Sequence, residues 1–236
     1  MIPKKLHFIY TRKSLPLPEK YEKNIKEWQR LCPDWEVHLY TDEEIQNIFN
    51  LHFPEYVEEL PKIPIGAMVA DVFRYAVIYL YGGMYNDIDT VPLKKIPEHW
   101  LNYDAVIGYE YQPDQFPELL SPLWKYDPIF CQWSFLSHPK NPLFKEALDS
   151  AFHRLREASF TPKKQVDVLN LTGPLLFTSV VKHHLKNSNQ LILDADYFAT
   201  DPAKEFAVTD RSVVQHQFDG HSGWEWNVVL PHINIG

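Results

Sequence analysis

The sequence predicts an α/β sandwich built on a largely parallel sheet. Three observations lead there. Short apolar runs of strand character alternate along the chain with longer segments of helical periodicity. The segment from Ile65 to about Tyr81 is apolar almost all round, as a helix buried against a sheet would be. Gly82 and Gly83 stop that helix, and a new strand reading begins at once with Met84.

Leu6 to Tyr10 reads as a first buried strand. Tyr21 to Cys32 places Ile25, Trp28 and Leu31 at helical spacing, so an amphipathic helix follows. Glu36 to Tyr40 alternates like a second strand. Thr41 with Glu44 forms a capping box that opens a helix through Phe49. Pro64 is expected as the first residue of the apolar helix. Met84 to Ile88 is the strand that leads out to Asp89. Ala105 to Tyr109 and Phe130 to Leu136 are further strands, and Pro142 to Leu155 and Gly173 to His184 are helices. Gln190 to Leu193 and Val213 to His216 are short late strands. Between Glu110 and Asp127, Pro113, Pro117 and Pro122 mark a long loop over one face, of the kind that often serves as a lid.

A chain of 236 residues suits one domain over 1–236, and a 45% hydrophobic content supplies its core. The net charge of −8 comes without a basic stripe, which excludes nucleic acid as a partner. For such a chain an anionic phosphate ligand needs a cation to bring it in. The 14% aromatic share packs the core and also suits stacking on bases and sugar rings. Cys32 and Cys131 lie too far apart in sequence to form a metal spacing or a disulfide framework, so buried thiols in a reducing compartment are expected. The N-terminus lacks the apolar region of a signal peptide, and no apolar run has membrane-spanning length. The expectation is a cytoplasmic protein, with peripheral membrane association left open.

Three constellations carry candidate chemistry. Asp87-Ile88-Asp89 at a strand end would put two carboxylates on one face, about 6.5–7 Å apart at the backbone. A division of labour fits that spacing, with one carboxylate on a divalent cation and the other on ligand hydroxyls. Hard oxygen donors favour Mg²⁺ or Mn²⁺. The plain alternative is a solvated acidic strand end. Asp71 and Arg74 are the charged residues of the apolar helix, and their i,i+3 spacing puts them on one face. They read either as a structural ion pair or as groups aimed into a pocket beside the carboxylates. The third constellation is C-terminal: His216, Asp219, His221, Ser222, Trp224 and Trp226, either a ligand-bearing segment or an aromatic tail packed on the domain.

These residues resemble glycosyltransferase family 32. Ile2-Pro3-Lys4-Lys5-Leu6-His7-Phe8-Ile9-Tyr10 is similar to the family's opening strand. Ala70-Asp71-Val72-Phe73-Arg74-Tyr75, then Leu80-Tyr81-Gly82-Gly83-Met84-Tyr85-Asn86-Asp87-Ile88-Asp89, resembles its central A-D-x-x-R-Y … Y-G-G-x-Y-x-D-x-D signature without a gap. Thr172-Gly173-Pro174 matches a family T-G-P. The resemblance spans nearly the whole chain and weakens toward its end. It implies a GT-A fold, a core shared with the large clostridial glucosylating toxins, and sugar transfer with retention of anomeric configuration using Mn²⁺ or Mg²⁺. It also implies roles. Asp71 and Arg74 hold donor-sugar hydroxyls, Asp87 bridges ribose and sugar, and Asp89 binds the metal. Phe8, Ile9 and Tyr10 line the base pocket, and Tyr85 and Trp224 complete the nucleotide site. Asp219, Ser222 or His216 supplies the second metal-side ligand. Two departures stand out: Tyr10 replaces the family's usual Trp, and Gln132-Trp133 replaces an Asn-rich stretch.

The expected partners are a UDP- or GDP-linked sugar and a glycan, lipid or protein acceptor. A divalent ion on both phosphates would stabilise the leaving diphosphate. Retention requires either a carboxylate nucleophile or attack on the face the leaving group departs from. Three other readings remain. Asp87-Ile88-Asp89-Thr90-Val91 fits the opening motif of haloacid-dehalogenase-type phosphatases. Paired carboxylates and aromatics also suit a non-catalytic sugar-binding module, or a hydrolase that only splits the donor.

Overall fold

The computed structural model describes residues 1–11, 16–112, 128–186, 189–198 and 208–219. Its strands are β1 (Lys5–Ile9), β2 (Glu36–Tyr40), β3 (Gly83–Asn86), β4 (Thr90–Pro92), β5 (Ala105–Tyr111), β6 (Ile129–Ser137), β7 (Gln190–Leu193) and β8 (Val214–His216). Its helices are α1 (Glu19–Leu31), α2 (Asp42–His52), α3 (Gly66–Tyr81), α4 (Pro142–Glu157), α5 (Gln165–Leu171), α6 (Pro174–His184) and α7 (Ala195–Phe198). The long loop expected from Glu110 is shortened by β5, which runs on to Tyr111; residues 113–127 lie outside the described residues.

Six strands form a sheet in the order β2-β1-β3-β6-β5-β7. β1 pairs in parallel with β2 and β3, and β5 pairs in parallel with β7. β6 runs antiparallel to both its neighbours, so it alone opposes the direction of the other five. β4 and β8 pair separately, antiparallel. The expected α/β sandwich is present, with one strand reversed at its centre.

Strand alternation sends side chains to opposite faces. Ile9, Tyr85, Ile107 and Phe135 enter the core shared with α2, α3, α4 and α6. Leu6, Phe8, Met84, Val106 and Leu136 enter the core that holds Trp28 of α1 and Trp100. Both cysteines are buried free thiols.

Helix starts differ from expectation by a few residues. α1 begins at Glu19 because Pro18, with φ fixed at −58°, sits at its N-cap. Pro64 is not the first residue of α3. Ile65 is extended at the N-cap, and its carbonyl accepts from the Met68 and Val69 amides. The Thr41–Glu44 capping box of α2 is present, with the Thr41 amide donating to Glu44 Oε2 at 2.8 Å. α5 is seven residues long, too short for a periodicity to announce it.

The connection from α3 to β3 needs two glycines. Gly82 has φ +63° and Gly83 φ +98°, both in the region other residues rarely adopt. A Cβ on Gly82 would lie 2.6 Å from the Pro139 amide nitrogen, and one on Gly83 would lie 2.5 Å from the Lys5 carbonyl oxygen. The turn is held from β1 by His7. Its Nε2–H donates to the Gly82 carbonyl at 2.8 Å, and its Nδ1 accepts from the Tyr40 hydroxyl at 3.0 Å. Burial pushes the His7 pKa down to about 3, so the ring stays neutral.

Gly83→Ala should lower stability by at least the ~1–3 kcal/mol of a strained backbone position, because the clash is with backbone that cannot move aside. Gly66→Ala is the control: its Cβ would meet only Thr11 Oγ1, at 3.6 Å, and its effect should lie within ~1 kcal/mol of neutral. Urea denaturation midpoints of the two variants check this, and equal midpoints would refute it.

His7 makes a pH prediction. The unfolded histidine binds a proton near pH ~6.5, which the folded protein refuses until about 3. Its contribution is therefore complete above pH ~6.5 and shrinks as the pH falls toward 3. Between pH 7 and 4, His7→Gln should lose less stability than the parent protein, although it starts lower. Parallel losses would show that His7 does not titrate this way.

Candidate active site

β3 ends at Asn86, so the expected strand to Ile88 is cut short. Asp87, Ile88 and Asp89 make a turn, which the Thr90 amide and hydroxyl close by donating to the Asp87 carbonyl at 3.1 and 2.7 Å. The turn corrects the strand-end geometry. A carboxylate oxygen of Asp87, one of Asp89 and a ring nitrogen of His216 all lie within 4.8 Å of one another. Extended backbone would hold the two aspartates further apart.

His216 arrives from far along the chain. β8 pairs with β4 so that His216 lies opposite Thr90. Its Nε2 is 2.9 Å from Asp89 Oδ1 and 3.9 Å from Asp87 Oδ2. The Asp219 amide donates to Asp89 Oδ2 at 2.9 Å. The His216 ring stacks on Trp133 at 4.6 Å between centroids. Burial opposes both charges here. The hydrogen bond between them nevertheless holds the Asp89 carboxyl below, and the His216 imidazole above, their usual ranges.

On the other side of Asp87, Arg74 lies buried between two carboxylates. Its Nη2 is 3.2 Å from Asp71 Oδ1 and 3.1 Å from Asp87 Oδ1. Nη1 donates to the Gln132 carbonyl at 3.0 Å, and the guanidinium lies 4.8 Å from the Tyr85 ring centroid. Burial disfavours its charge, yet Asp87, Tyr85 and Asp71 raise its pKa above the usual arginine value. Burial pushes Asp71 up to about 6 against the pull of Arg74 and of the Thr172 hydroxyl, which donates to Oδ2 at 2.7 Å.

The structure therefore brings together Asp71, Arg74, Asp87, Asp89 and His216. Several expected site residues stand elsewhere. Tyr85 is fully buried, and its hydroxyl donates to Asp87 Oδ1 at 2.6 Å, which orients that carboxylate. The side chains of Phe8 and Ile9 are packed in the two cores. Tyr10 is half-buried, with its ring edge-on to Tyr21. The Asp219 carboxylate lies on Lys20 at 2.5 Å; its amide is what meets Asp89. Ser222, Trp224, Trp226 and His221 lie outside the described residues. Sequence reasoning missed Trp133 as a platform for His216 and gave Thr172 no role, although the T-G-P match had marked its position.

The donor set fits a divalent cation. Two carboxylates offer hard oxygens and His216 a borderline nitrogen, a combination suited to Mn²⁺ as well as Mg²⁺.

Residues 18–107 match the family model described as a glycosyltransferase sugar-binding region containing a DXD motif. The chain is 28% identical over 195 residues to the initiation-specific alpha-1,6-mannosyltransferase of Candida albicans, covering 72% of this chain and 49% of that protein. It is 30% identical over 180 residues to inositol phosphoceramide mannosyltransferase 1 of Schizosaccharomyces pombe, covering 75% and 50%. The chain thus spans about half the length of these relatives. Among solved structures, the PaToxG glycosyltransferase matches with a TM-score of 0.56 at 18% identity, over 78% of this chain and 70% of that one. The UDP-bound glycosyltransferase domain of the YGT toxin matches with a TM-score of 0.52 at 10% identity, over 81% and 79%. These likenesses carry the fold, and they remove the ground for a haloacid-dehalogenase-type phosphatase. The chain thus carries, at residues 18–107 and on a GT-A-type fold, the sugar-binding region of DXD-containing glycosyltransferases.

Proposed function

We propose that the chain is a metal-dependent, retaining hexosyltransferase that uses a UDP- or GDP-linked sugar and passes the sugar to a glycan or lipid acceptor. The observation that carries this reading is the continuous charged row Asp71–Arg74–Asp87, which ends beside Asp89 and His216. It sets a sugar-holding carboxylate next to a cation-holding pair. Two relatives are named for mannosyl transfer, so nucleoside-diphospho-mannose is the first donor to test.

Asp89 and His216, with Asp87 within reach, would hold the cation. A cation bound there supplies positive charge to the two phosphates of the donor and to the diphosphate as it leaves. Asp71 keeps lone pairs for donor-sugar hydroxyls while Arg74 and Thr172 hold its two oxygens. Asp87 stands between the two halves, oriented by Tyr85 and Arg74. Both aspartates are already committed, which favours same-face attack over a covalent glycosyl-enzyme. In that step the bond from the anomeric carbon to phosphate oxygen breaks as the acceptor oxygen bonds to the same carbon. The acceptor's proton passes to the departing phosphate.

Asp89→Asn should leave the protein folded and cut Mn²⁺-dependent transfer of sugar by about 100-fold or more, as losing one group that stabilises developing charge does elsewhere. Chelation with EDTA should abolish turnover of the parent protein. Full turnover in excess EDTA would refute the metal-dependent reading.

Asp71 and Arg74 separate on a second measurement. Arg74→Met leaves the buried Asp71 and the half-buried Asp87 without their cation, and should cost about 3–5 kcal/mol of stability. Asp71→Asn keeps shape and hydrogen-bonding capacity, so the protein should purify folded. Its UDP or GDP affinity should stay within about threefold of the parent while transfer falls about 100-fold, because sugar contacts matter most in the transition state. Unchanged transfer would mean that Asp71 is only half of an ion pair.

A further inference from the structure

We infer that Thr172 is a positioning residue for sugar transfer, setting the rotation of the Asp71 carboxylate through a connected, buried hydrogen-bond set with Tyr75 and Gln132. The inference rests on the sugar-holding role proposed above for Asp71 and extends it to residues that no ligand reaches.

Thr172 is fully buried, so it touches neither donor nor acceptor. Its hydroxyl has one proton and two candidate acceptors. Asp71 Oδ2 is at 2.7 Å and the Val168 carbonyl at 3.5 Å, so the proton goes to Asp71. The Thr172 carbonyl accepts from the Tyr75 hydroxyl and from Gln132 Nε2, both at 2.9 Å. Gln132 Nε2 also lies 2.5 Å from the Tyr75 hydroxyl oxygen. Gln132 and Tyr75 thus both donate to the Thr172 carbonyl, which uses both lone pairs, and the second Gln132 proton is shared between the Tyr75 oxygen and Asp71. A connected, buried polar set of this kind stiffens its surroundings.

This set fixes Thr172, and Thr172 fixes Asp71. Arg74 holds Oδ1 at 3.2 Å and Gln132 also bonds the carboxylate, but the threonine hydroxyl is the close donor to Oδ2 at 2.7 Å, and without it the carboxylate is freer to turn about its Cβ–Cγ bond. A sugar hydroxyl would then meet a carboxylate spread over several orientations. The lost alignment is felt in turnover more than in binding, because base and phosphate contacts lie elsewhere.

The test compares Thr172→Val, which is isosteric but cannot donate, with Thr172→Ser, which keeps the hydroxyl. Transfer from nucleoside-diphospho-mannose with Mn²⁺ and UDP or GDP affinity are measured on each, with circular dichroism to confirm folding. Thr172→Val should lose about tenfold in kcat with the nucleotide Kd and donor KM nearly unchanged. Thr172→Ser should recover to within about twofold. In an Asp71→Asn background, Thr172→Val should cost nothing further, since the two act as one unit. The inference is overturned if Thr172→Val has parental kcat, if serine is no better than valine, or if the two losses add. A parent protein that binds nucleotide but transfers no sugar overturns the proposed function itself, and this inference with it. A folded parent with ordinary transfer and an indifferent Thr172 overturns this inference alone.

Discussion

The guanidinium of Arg74 joins the two halves of the site. It lies buried between Asp71 on α3 and Asp87 beyond β3, and it also reaches the Gln132 carbonyl on β6. Two carboxylates so close in a poorly solvated interior would repel, and one would take a proton, without a cation between them. A planar fork with several fixed donors can serve both and a carbonyl as well; a lysine ammonium could not hold that geometry. The geometry requires α3 to turn back sharply into β3, and the two left-handed glycines permit it. Such an arrangement is a poor way to gain stability, because well-packed apolar side chains usually do as well. Its presence in an otherwise apolar helix is better explained by the pocket it organises.

A second pair of charges balances the other half. Asp89 and His216, 127 positions apart in sequence, meet because β4 and β8, each three residues long, pair. Alone, such short strands would be marginal. Here they add to a packed domain, with Trp133 stacked on the histidine. Three carboxylates thus face Arg74 and His216 across the site. A cation that uses His216 must replace the proton that the Asp89 hydrogen bond favours, so metal affinity is coupled to pH.

What was legible in the sequence follows the range of the interaction. Asp71 and Arg74 could be placed on one face because helix periodicity is local, and the Gly82-Gly83 stop is a backbone rule. The geometry of Asp87-Ile88-Asp89 could not be read. A strand continuing to Ile88 and a turn after Asn86 have the same apolar pattern, and hydrogen bonds from Thr90 decide between them. Motif position points Tyr85 and Phe8 at a ligand but carries no word of their packing, in which the Tyr85 hydroxyl donates to Asp87 and the Phe8 ring fills a core. The contact from Thr172 to Asp71 spans 101 residues and leaves no local signal at all.

The reversed strand β6 explains why both halves of the site keep their relative placement. Gln132 and Trp133 are successive residues, so their side chains leave opposite faces of the sheet. Gln132 turns toward Tyr75 and Thr172 behind the Asp71 carboxylate. Trp133 turns toward His216 behind the Asp89 carboxylate. Between them the backbone works too: the Gln132 carbonyl accepts from Arg74, and the Trp133 carbonyl accepts from the Asp87 amide at 2.9 Å. A one-residue slip of β6 would exchange the two side chains, putting an indole among the buried hydrogen bonds and an amide beneath the histidine. Next to these two residues the register is fixed on both sides, by pairing of Gly83 to Asn86 with Ser137 to Ser134 and of Ala105 to Ile107 with Ser137 to Phe135, and it shifts against β5 between Ile107 and Tyr109, opposite the stretch that holds Gln132 and Trp133. Two adjacent residues on the reversed strand of the six-stranded sheet therefore hold the Asp71 side and the Asp89–His216 side in a single frame, with Asp87 at its centre.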